Sequence, residues 1–332
     1  MQAPIRAAVI GYGGAFNMGR RHGESMKLTG RIELRAVCDI DPSRTGQAQQ
    51  DFPGIRTYND VRELFADPEI DLITVITPHN THAELALGAL RAGKHAIVEK
   101  PMCITVAEAD AMIEAARERG LMLSVFHNRR WDGDYVALKE LVNSGMIGDI
   151  FHVEMCGGKY GHPGDTWRSS KEISGGAFYD WGAHFIDWLL NLIASPMEQI
   201  IGFAQKRVWM DVTNEDHVHS IVHFENGAVA DITMSRLDMA PKPRWRILGT
   251  KGAAISRDKF FEVRTLVDGS EQTVEVPYKT SDWHAFYANI AAHLLEGAPL
   301  AVTPESARRV IQVLEGTGIS ARTCRPVKPK YP

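Results

Sequence analysis

Three residues, far apart in a chain of 332, have the types needed to move a proton and to stabilise charge on one oxygen. Lys100 follows the apolar run that ends in Ile97-Val98-Glu99, so it closes a buried strand, where an ammonium is costly unless it has partners. Eighty residues later, Asp180-Trp-Gly-Ala-His184-Phe-Ile-Asp187 sets an acid and an imidazole four apart, the spacing that puts two side chains on one helix face. An amine, an imidazole and a carboxylate brought together over a dinucleotide form a hydride-transfer site for an alcohol or its ketone. Alone, the Asp180/His184 pair reads better as an ordinary helix pair; Lys100 in the same chain tips the reading to catalysis.

The dinucleotide is suggested by Val9-Ile10-Gly11-Tyr12-Gly13, two glycines directly after a strand. The first permits a tight turn, and the second lets the backbone approach a pyrophosphate at a helix N-terminus. A third glycine is expected at position 16, where Phe16 stands; it comes instead at Gly19, before Arg20-Arg21-His22. Three residues are thus inserted in the phosphate loop, and Phe16, Asn17 and Met18 join Gly11, Tyr12 and Gly13 as expected cofactor contacts. The loop pattern alone does not separate this from a plain strand-to-helix turn. Asp39 adds weight, closing the second strand 26 residues after Gly13, near the place of a ribose-binding acid. A carboxylate there repels a 2′-phosphate, which favours NAD over NADP, although Arg44 leaves NADP open. As a mere helix cap, Asp39 is less suited than Asp41, which precedes Pro42. Thr77, Pro78, Asn80 and His82 follow another strand at its carboxyl end, where open α/β sheets bind ligand, with Pro78 and Asn80 expected against the nicotinamide ribose. A loop with Thr81 as a helix N-cap is compatible with that role.

The elements that must position these residues are legible from the patterning. Strand candidates at Arg6–Ile10, Glu33–Cys38, Asp71–Ile76, Ala96–Glu99 and Met122–Phe126 alternate with helical patterns such as Thr81–Ala92 and Val106–Arg119. Gly93 and Gly120 close those two helices. The alternation predicts a doubly wound parallel sheet over residues 1–127. From about Asp149 the texture changes to Ile150–Met155, Ile200–Val208, His217–Phe224, Ala228–Arg236 and Trp245–Leu248, separated by turn signals. This predicts a large, mainly antiparallel sheet in a second α/β domain, residues 128–332, with a helix over Asp180–Ile193 between its first two strands. Late helices are expected at Asp282–Glu296 and Pro304–Gly318, the last able to pack back on the first domain, and the tail Arg325–Pro332 reads as an arm or a disordered end.

The glycine loop, Asp39, Thr77-Pro78, Glu99-Lys100-Pro101 and Asp180-x-Gly-x-His184 stand in an order that resembles the Gfo/Idh/MocA oxidoreductases, and the resemblance covers nearly the whole chain. It implies an NAD(P)-dependent enzyme that oxidises a secondary hydroxyl of a sugar, sugar derivative or cyclitol, or reduces the ketone. His184 would take the hydroxyl proton, helped by an ordinary pKa of about 6.5. Lys100 would bond the reacting oxygen, Asp180 would orient the substrate or tune the other two, and Glu99 would belong to the scaffold near the cofactor. Arg129, Tyr160, His162, Trp167 and Arg168 are expected substrate contacts, since aromatic planes and fork-shaped donors suit polyhydroxylated rings; domain-interface packing explains them as well.

Two rivals share the fold. Some relatives are glycoside hydrolases that oxidise a ring hydroxyl transiently and return the hydride; a ligand sensor without catalysis is the other, and relatives of that kind would be expected to lose Lys100 or His184. His217, His219 and His223 share one strand face but have no companion cysteine, and no metal is expected. A net charge of −4 argues against a nucleic-acid surface, and no segment is apolar enough for a membrane span. Four scattered cysteines without CxxC spacing read as buried thiols of a reducing compartment, and the expected location is cytoplasmic. The resemblance also implies homodimers or homotetramers through the open face of the second sheet, and the apolar strands are compatible with that.

Overall fold

A computed structural model of the chain describes residues 3–13 and 16–332. The chain runs β1 (Ile5–Ile10), α1 (Met18–Leu28), β2 (Ile32–Cys38), α2 (Pro42–Asp51), β3 (Arg56–Tyr58), α3 (Val61–Ala66), β4 (Leu72–Val75), α4 (His82–Arg91), β5 (His95–Val98), α5 (Val106–Glu118) and β6 (Leu123–Val125). It continues with α6 (Gly133–Asn143), β7 (Ile150–Gly158), α7 (Lys171–Ser174), α8 (Trp181–Leu192), β8 (Met197–Gln205), β9 (His217–Phe224) and β10 (Val229–Ser235). Then follow β11 (Trp245–Gly249), β12 (Gly252–Ser256), β13 (Phe260–Val267), β14 (Ser270–Pro277), α9 (Ala285–Glu296) and α10 (Pro304–Thr323). Two compact units result. The described residues up to Asn128 join His284–Arg308 in the first, and Arg129–Trp283 joins Arg309–Pro332 in the second.

The first unit is a six-stranded parallel sheet in the order β3-β2-β1-β4-β5-β6. Its central strands are mostly apolar, as suits strands covered on both faces; all of β4 is buried, Thr74 included. The order reverses between β1 and β4, which opens a crevice at their carboxyl ends. Strand β3, absent from the sequence expectation, is three half-exposed residues, too short to carry a period. Local signals set the helix ends. Asp41 accepts a hydrogen bond from Ser43 N with Pro42 in the first turn, and Thr105 with Glu108 forms a reciprocal capping box. Gly93 and Gly120 take positive φ after α4 and α5. Thr81 does not cap α4 with its side chain: its hydroxyl turns back to Thr77 Oγ1 and Pro78 O. Within the same unit, Phe286 of α9 meets Phe126 with ring centroids 4.8 Å apart.

The second unit is an eight-stranded sheet in the order β14-β13-β12-β11-β7-β10-β9-β8, antiparallel except where β10 lies parallel to β7. Strand β9 alternates strictly, with Val218, Ser220, Val222 and Phe224 inward. Helix α8 packs on the covered face, where Trp188 lies 5.3 Å from Trp245 and stacks on Tyr135. The part of α10 in this unit lies against β8: a Cβ at Gly202 would stand 2.1 Å from Thr317 O, and Gly202 N donates to Ser320 Oγ.

Several expectations are corrected here. β8 ends at Gln205 rather than Val208, because Arg207 N and Val208 N turn to donate to the Asp216 carboxylate, which ends the ladder. α9 begins at Ala285 rather than Asp282, since Asp282 N is held by Trp131 O. α10 runs past Gly318 to Thr323. The tail is neither free nor disordered, for Val327 exchanges backbone hydrogen bonds with Ile200 and Lys330 N donates to Gln312. Cys38, Cys103 and Cys156 are buried, whereas Cys324 is exposed. Among the described residues no helix is long and apolar enough to cross a membrane.

Candidate active site

In the first unit the turn after β1 is built around Gly11. Gly11 has φ +92°, and a Cβ there would stand 2.6 Å from Ile76 O at the end of β4. No other residue fits, so the first glycine is dictated by backbone approach. At Gly13 a Cβ would meet nothing within 4 Å among the described residues. Asn17 sits in the left-handed region at φ 52°, Phe16 is 62% exposed, and Met18 opens α1 with no acidic residue in its first turn. That terminus suits an anion. The glycine displaced to position 19 keeps a packing role: a Cβ there would stand 2.5 Å from the Tyr12 ring, and one at Gly23 would stand 2.6 Å from Phe52. Tyr12 itself is buried and donates to Asp51 at 2.8 Å.

Asp39 is held by two backbone amides, Tyr12 N at 2.6 Å and Asp41 N at 2.9 Å, one on each oxygen. Each oxygen keeps a lone pair for ribose hydroxyls. Arg44 reaches back toward Asp41, 3.9 Å away. These features fit an adenine dinucleotide. Gly11→Ala should therefore be destabilised by roughly 1–3 kcal/mol of strain and lose dinucleotide binding, as thermal unfolding and titration calorimetry would read out.

Thr77 and Pro78 are half-buried and Asn80 is exposed, after β4. His82 is fully buried, and its two ring nitrogens each lie 2.8 Å from a carbonyl, Pro101 O and Thr77 O. Burial pushes its pKa down, and the neutral ring donates to one of these two carbonyls, after β4 or after β5. After β5, the Lys100–Pro101 peptide is cis, and Lys100 N donates to Glu99 Oε2 at 2.9 Å. The other carboxylate oxygen of Glu99 is 3.1 Å from His22 Nε2. Burial pushes the Glu99 carboxyl up, but the His22 hydrogen bond and the Lys100 charge outweigh it and hold it below the ordinary range.

In the second unit Asp180 occupies the N-cap position of α8 instead of lying within the helix, and its side chain does not cap. His184, 5% exposed, sits one turn in, its ring 5.5 Å from Trp181 and 6.3 Å from Trp188. The Arg129 guanidinium lies 4.6 Å over Trp181 and 5.3 Å over Trp283, and it bonds Asp132 at 2.8 Å. Burial pushes the Asp132 carboxyl up, against Arg129 and Trp283, which favour its charge. Arg168 stacks on Trp167 at 4.3 Å. Tyr160 and His162 gather instead around Trp209, and His162 is exposed and bonded to Asp211. The strand histidines lie on the half-exposed face of β9, with His219 against Asp231 and His223 against Glu198.

Sequence reasoning passed over His22, Tyr287, Asp132 and Asp187. The signal for His22 was its place in the buried stripe Gly19, His22, Gly23, Met26 of α1, where a polar ring must have partners. Asp187 had a similar signal, a carboxylate inside the most apolar helix; it takes a bidentate contact from Arg130, at 2.6 Å for the shortest bond.

Residues 5–127 match the family described as an oxidoreductase family with an NAD-binding Rossmann fold, and residues 135–255 match the GFO/IDH/MocA C-terminal domain. The chain is 28% identical to the scyllo-inositol 2-dehydrogenase (NADP(+)) IolW of Bacillus subtilis, over 97% of this chain and 95% of that one. It is 30% identical to the myo-inositol 2-dehydrogenase of Thermotoga maritima, over 75% and 74%. A crystal structure of an NAD-binding protein from Listeria innocua superimposes with a TM-score of 0.89 at 28% identity, covering 98% of this chain and all of the other.

Proposed function

Because the chain belongs to the Gfo/Idh/MocA family of NAD(P)-dependent oxidoreductases, we propose that it interconverts a secondary alcohol and a ketone on a cyclitol or sugar ring. The observation that carries the reading is His184, buried one turn into α8 behind Trp181, with Arg129 stacked on that indole. An imidazole walled by indoles sheds water and receives a hydroxyl proton directly, and a flat aromatic beside a fork-shaped donor suits a ring of hydroxyls. His184 takes the proton from the hydroxyl, and Lys100 donates to the same oxygen, so that negative charge never develops unopposed. Asp180 orients a neighbouring hydroxyl. Arg129, Tyr160, His162, Trp167 and Arg168 are proposed to contact the rest of the ring. When bound, the oxidised dinucleotide accepts the hydride from carbon. Gly11, Gly13, Asn17 and Met18 would hold its phosphates, Asp39 its ribose, and Thr77, Pro78 and Asn80 its nicotinamide end.

The test is absorbance at 340 nm with NAD or NADP and a panel of inositols, aldoses and glycosides. Net reduced dinucleotide from one substrate class, formed far more slowly by His184→Ala, supports the reading. Release of an aglycone with no net absorbance change points to the hydrolase. Dinucleotide binding without turnover points to the sensor. Asp39→Ala should weaken NAD by roughly 10- to 100-fold, the worth of hydrogen bonds to a charged acceptor, while leaving NADP nearly unchanged. Comparative titrations check this.

The open face of the second sheet, bearing Phe203 (50% exposed) beside Ile201 and Ile221, is proposed to pair with a second copy. Sedimentation should then give the mass of a dimer or tetramer.

A further inference from the structure

A buried hydrogen-bonded chain in the first unit ends at the backbone of Lys100. His22 Nδ1 lies 2.7 Å from the Tyr287 hydroxyl of α9, His22 Nε2 3.1 Å from Glu99 Oε1, and Lys100 N 2.9 Å from Glu99 Oε2. The Tyr287 oxygen is also 3.2 Å from Thr74 Oγ1 in β4. Side-chain exposure is 0% at His22 and 13% at Glu99, and the His22 ring is walled by Phe126 at 4.3 Å and Tyr287 at 5.7 Å. Chain-remote residues from β4, α9 and α1 thus form one chain that reaches the Glu99 carboxylate through His22.

An ionised Glu99 accepts, so His22 carries a proton on Nε2, and in the neutral ring Nδ1 is left as the acceptor. Its Nδ1 then accepts from the Tyr287 hydroxyl, whose oxygen accepts from Thr74. Burial pushes the Tyr287 pKa up, so that hydroxyl keeps its proton and remains a donor. The titratable groups facing Glu99 are therefore His22 from α1, Tyr287 from α9, Lys100 beside it and His82 from α4.

We propose that His22 is a positioning residue for Lys100, acting through Glu99, with Tyr287 fixing which ring nitrogen faces the carboxylate. This rests on the role given to Lys100 above. A charged, fixed Glu99 anchors the Lys100 backbone and opposes its ammonium, so Lys100 meets the substrate oxygen as a located cation. The same histidine lies on α1, whose first turn is assigned above to the dinucleotide phosphates.

The experiment pairs nuclear magnetic resonance of the ligand-free protein with kinetics. The His22 ring should show the Nε2–H tautomer. The Glu99 side-chain carbon, assigned by comparison with Glu99→Gln, should titrate below the ordinary glutamate range and move upward in His22→Leu. In that variant kcat should fall roughly 10- to 100-fold, as for a lost charge-assisted hydrogen bond, with dinucleotide affinity within about threefold of the parent. His22→Gln, which places an amide donor near Nε2, should recover most of kcat. Should His22→Leu fail to fold, Tyr287→Phe keeps the ring packing and should release the tautomer preference.

An Nδ1–H tautomer, or a Glu99 titration and kcat unmoved by His22→Leu, overturns the inference. If Lys100→Ala is inactive while His22→Leu is normal, only this inference fails. If Lys100→Ala stays active, the functional reading itself fails.

Discussion

His184→Ala is expected to lower kcat by roughly 10²- to 10⁴-fold, the usual contribution of a positioned acid–base group. Its burial between Trp181 and Trp188 places the side chain in a closed apolar wall, so the variant also leaves a void; thermal unfolding should be followed in parallel to separate the two effects. Lys100→Ala should cost a comparable amount. Because both residues are assigned to one oxygen, the double variant should be little worse than either single one, as residues that act as a unit are strongly non-additive. Additive losses would mean that the two residues act in separate steps or on separate atoms. Dinucleotide affinity should change little in His184→Ala.

Arg130→Leu is expected to cost stability rather than chemistry. Asp187 is 2% exposed inside the apolar helix α8, and Arg130 meets both of its carboxylate oxygens. Removing the guanidinium leaves a buried charge without its chief counter-ion, worth roughly 3–5 kcal/mol, or a fall of about 6–20 °C in Tm for a unit of this size. Replacing both partners, Arg130→Leu with Asp187→Leu, should return much of that loss, since two apolar side chains carry no desolvation penalty. Calorimetry on the single and double variants decides it: equal Tm losses in both would mean that the pair acts through shape and not charge.

The elements of the first unit were legible because a parallel sheet covered on both faces writes itself as short apolar runs, as in Leu72–Val75 and His95–Val98. Strand β9 was legible for the opposite reason, its strict alternation. Strands β12 to β14 were not read from the sequence. β14 is almost wholly exposed, so nothing in Ser270–Pro277 marks an inward face. The end of β8 was misplaced because Asp216 lies eleven residues beyond it, and only the folded loop lets that carboxylate collect Arg207 N and Val208 N.

The site shows the same division. Gly11, Asp39 and Lys100 announce themselves by standing at strand ends. His82 was read from its position after a strand, whereas its burial and its two carbonyl neighbours come from the folded loops. His22 and Tyr287 lie 265 residues apart, and no local pattern connects them. Pairings of that kind are set by tertiary packing and become visible only in three dimensions.

The most direct test of the central claim is the mass of the reduced dinucleotide after turnover with an inositol deuterated at every ring carbon. Hydride transfer from a secondary alcohol carbon predicts one deuterium in each reduced dinucleotide and one ketone formed per dinucleotide, with both formed roughly 10²- to 10⁴-fold more slowly in His184→Ala. Reduced dinucleotide carrying no deuterium, or formed equally by His184→Ala, would contradict the account.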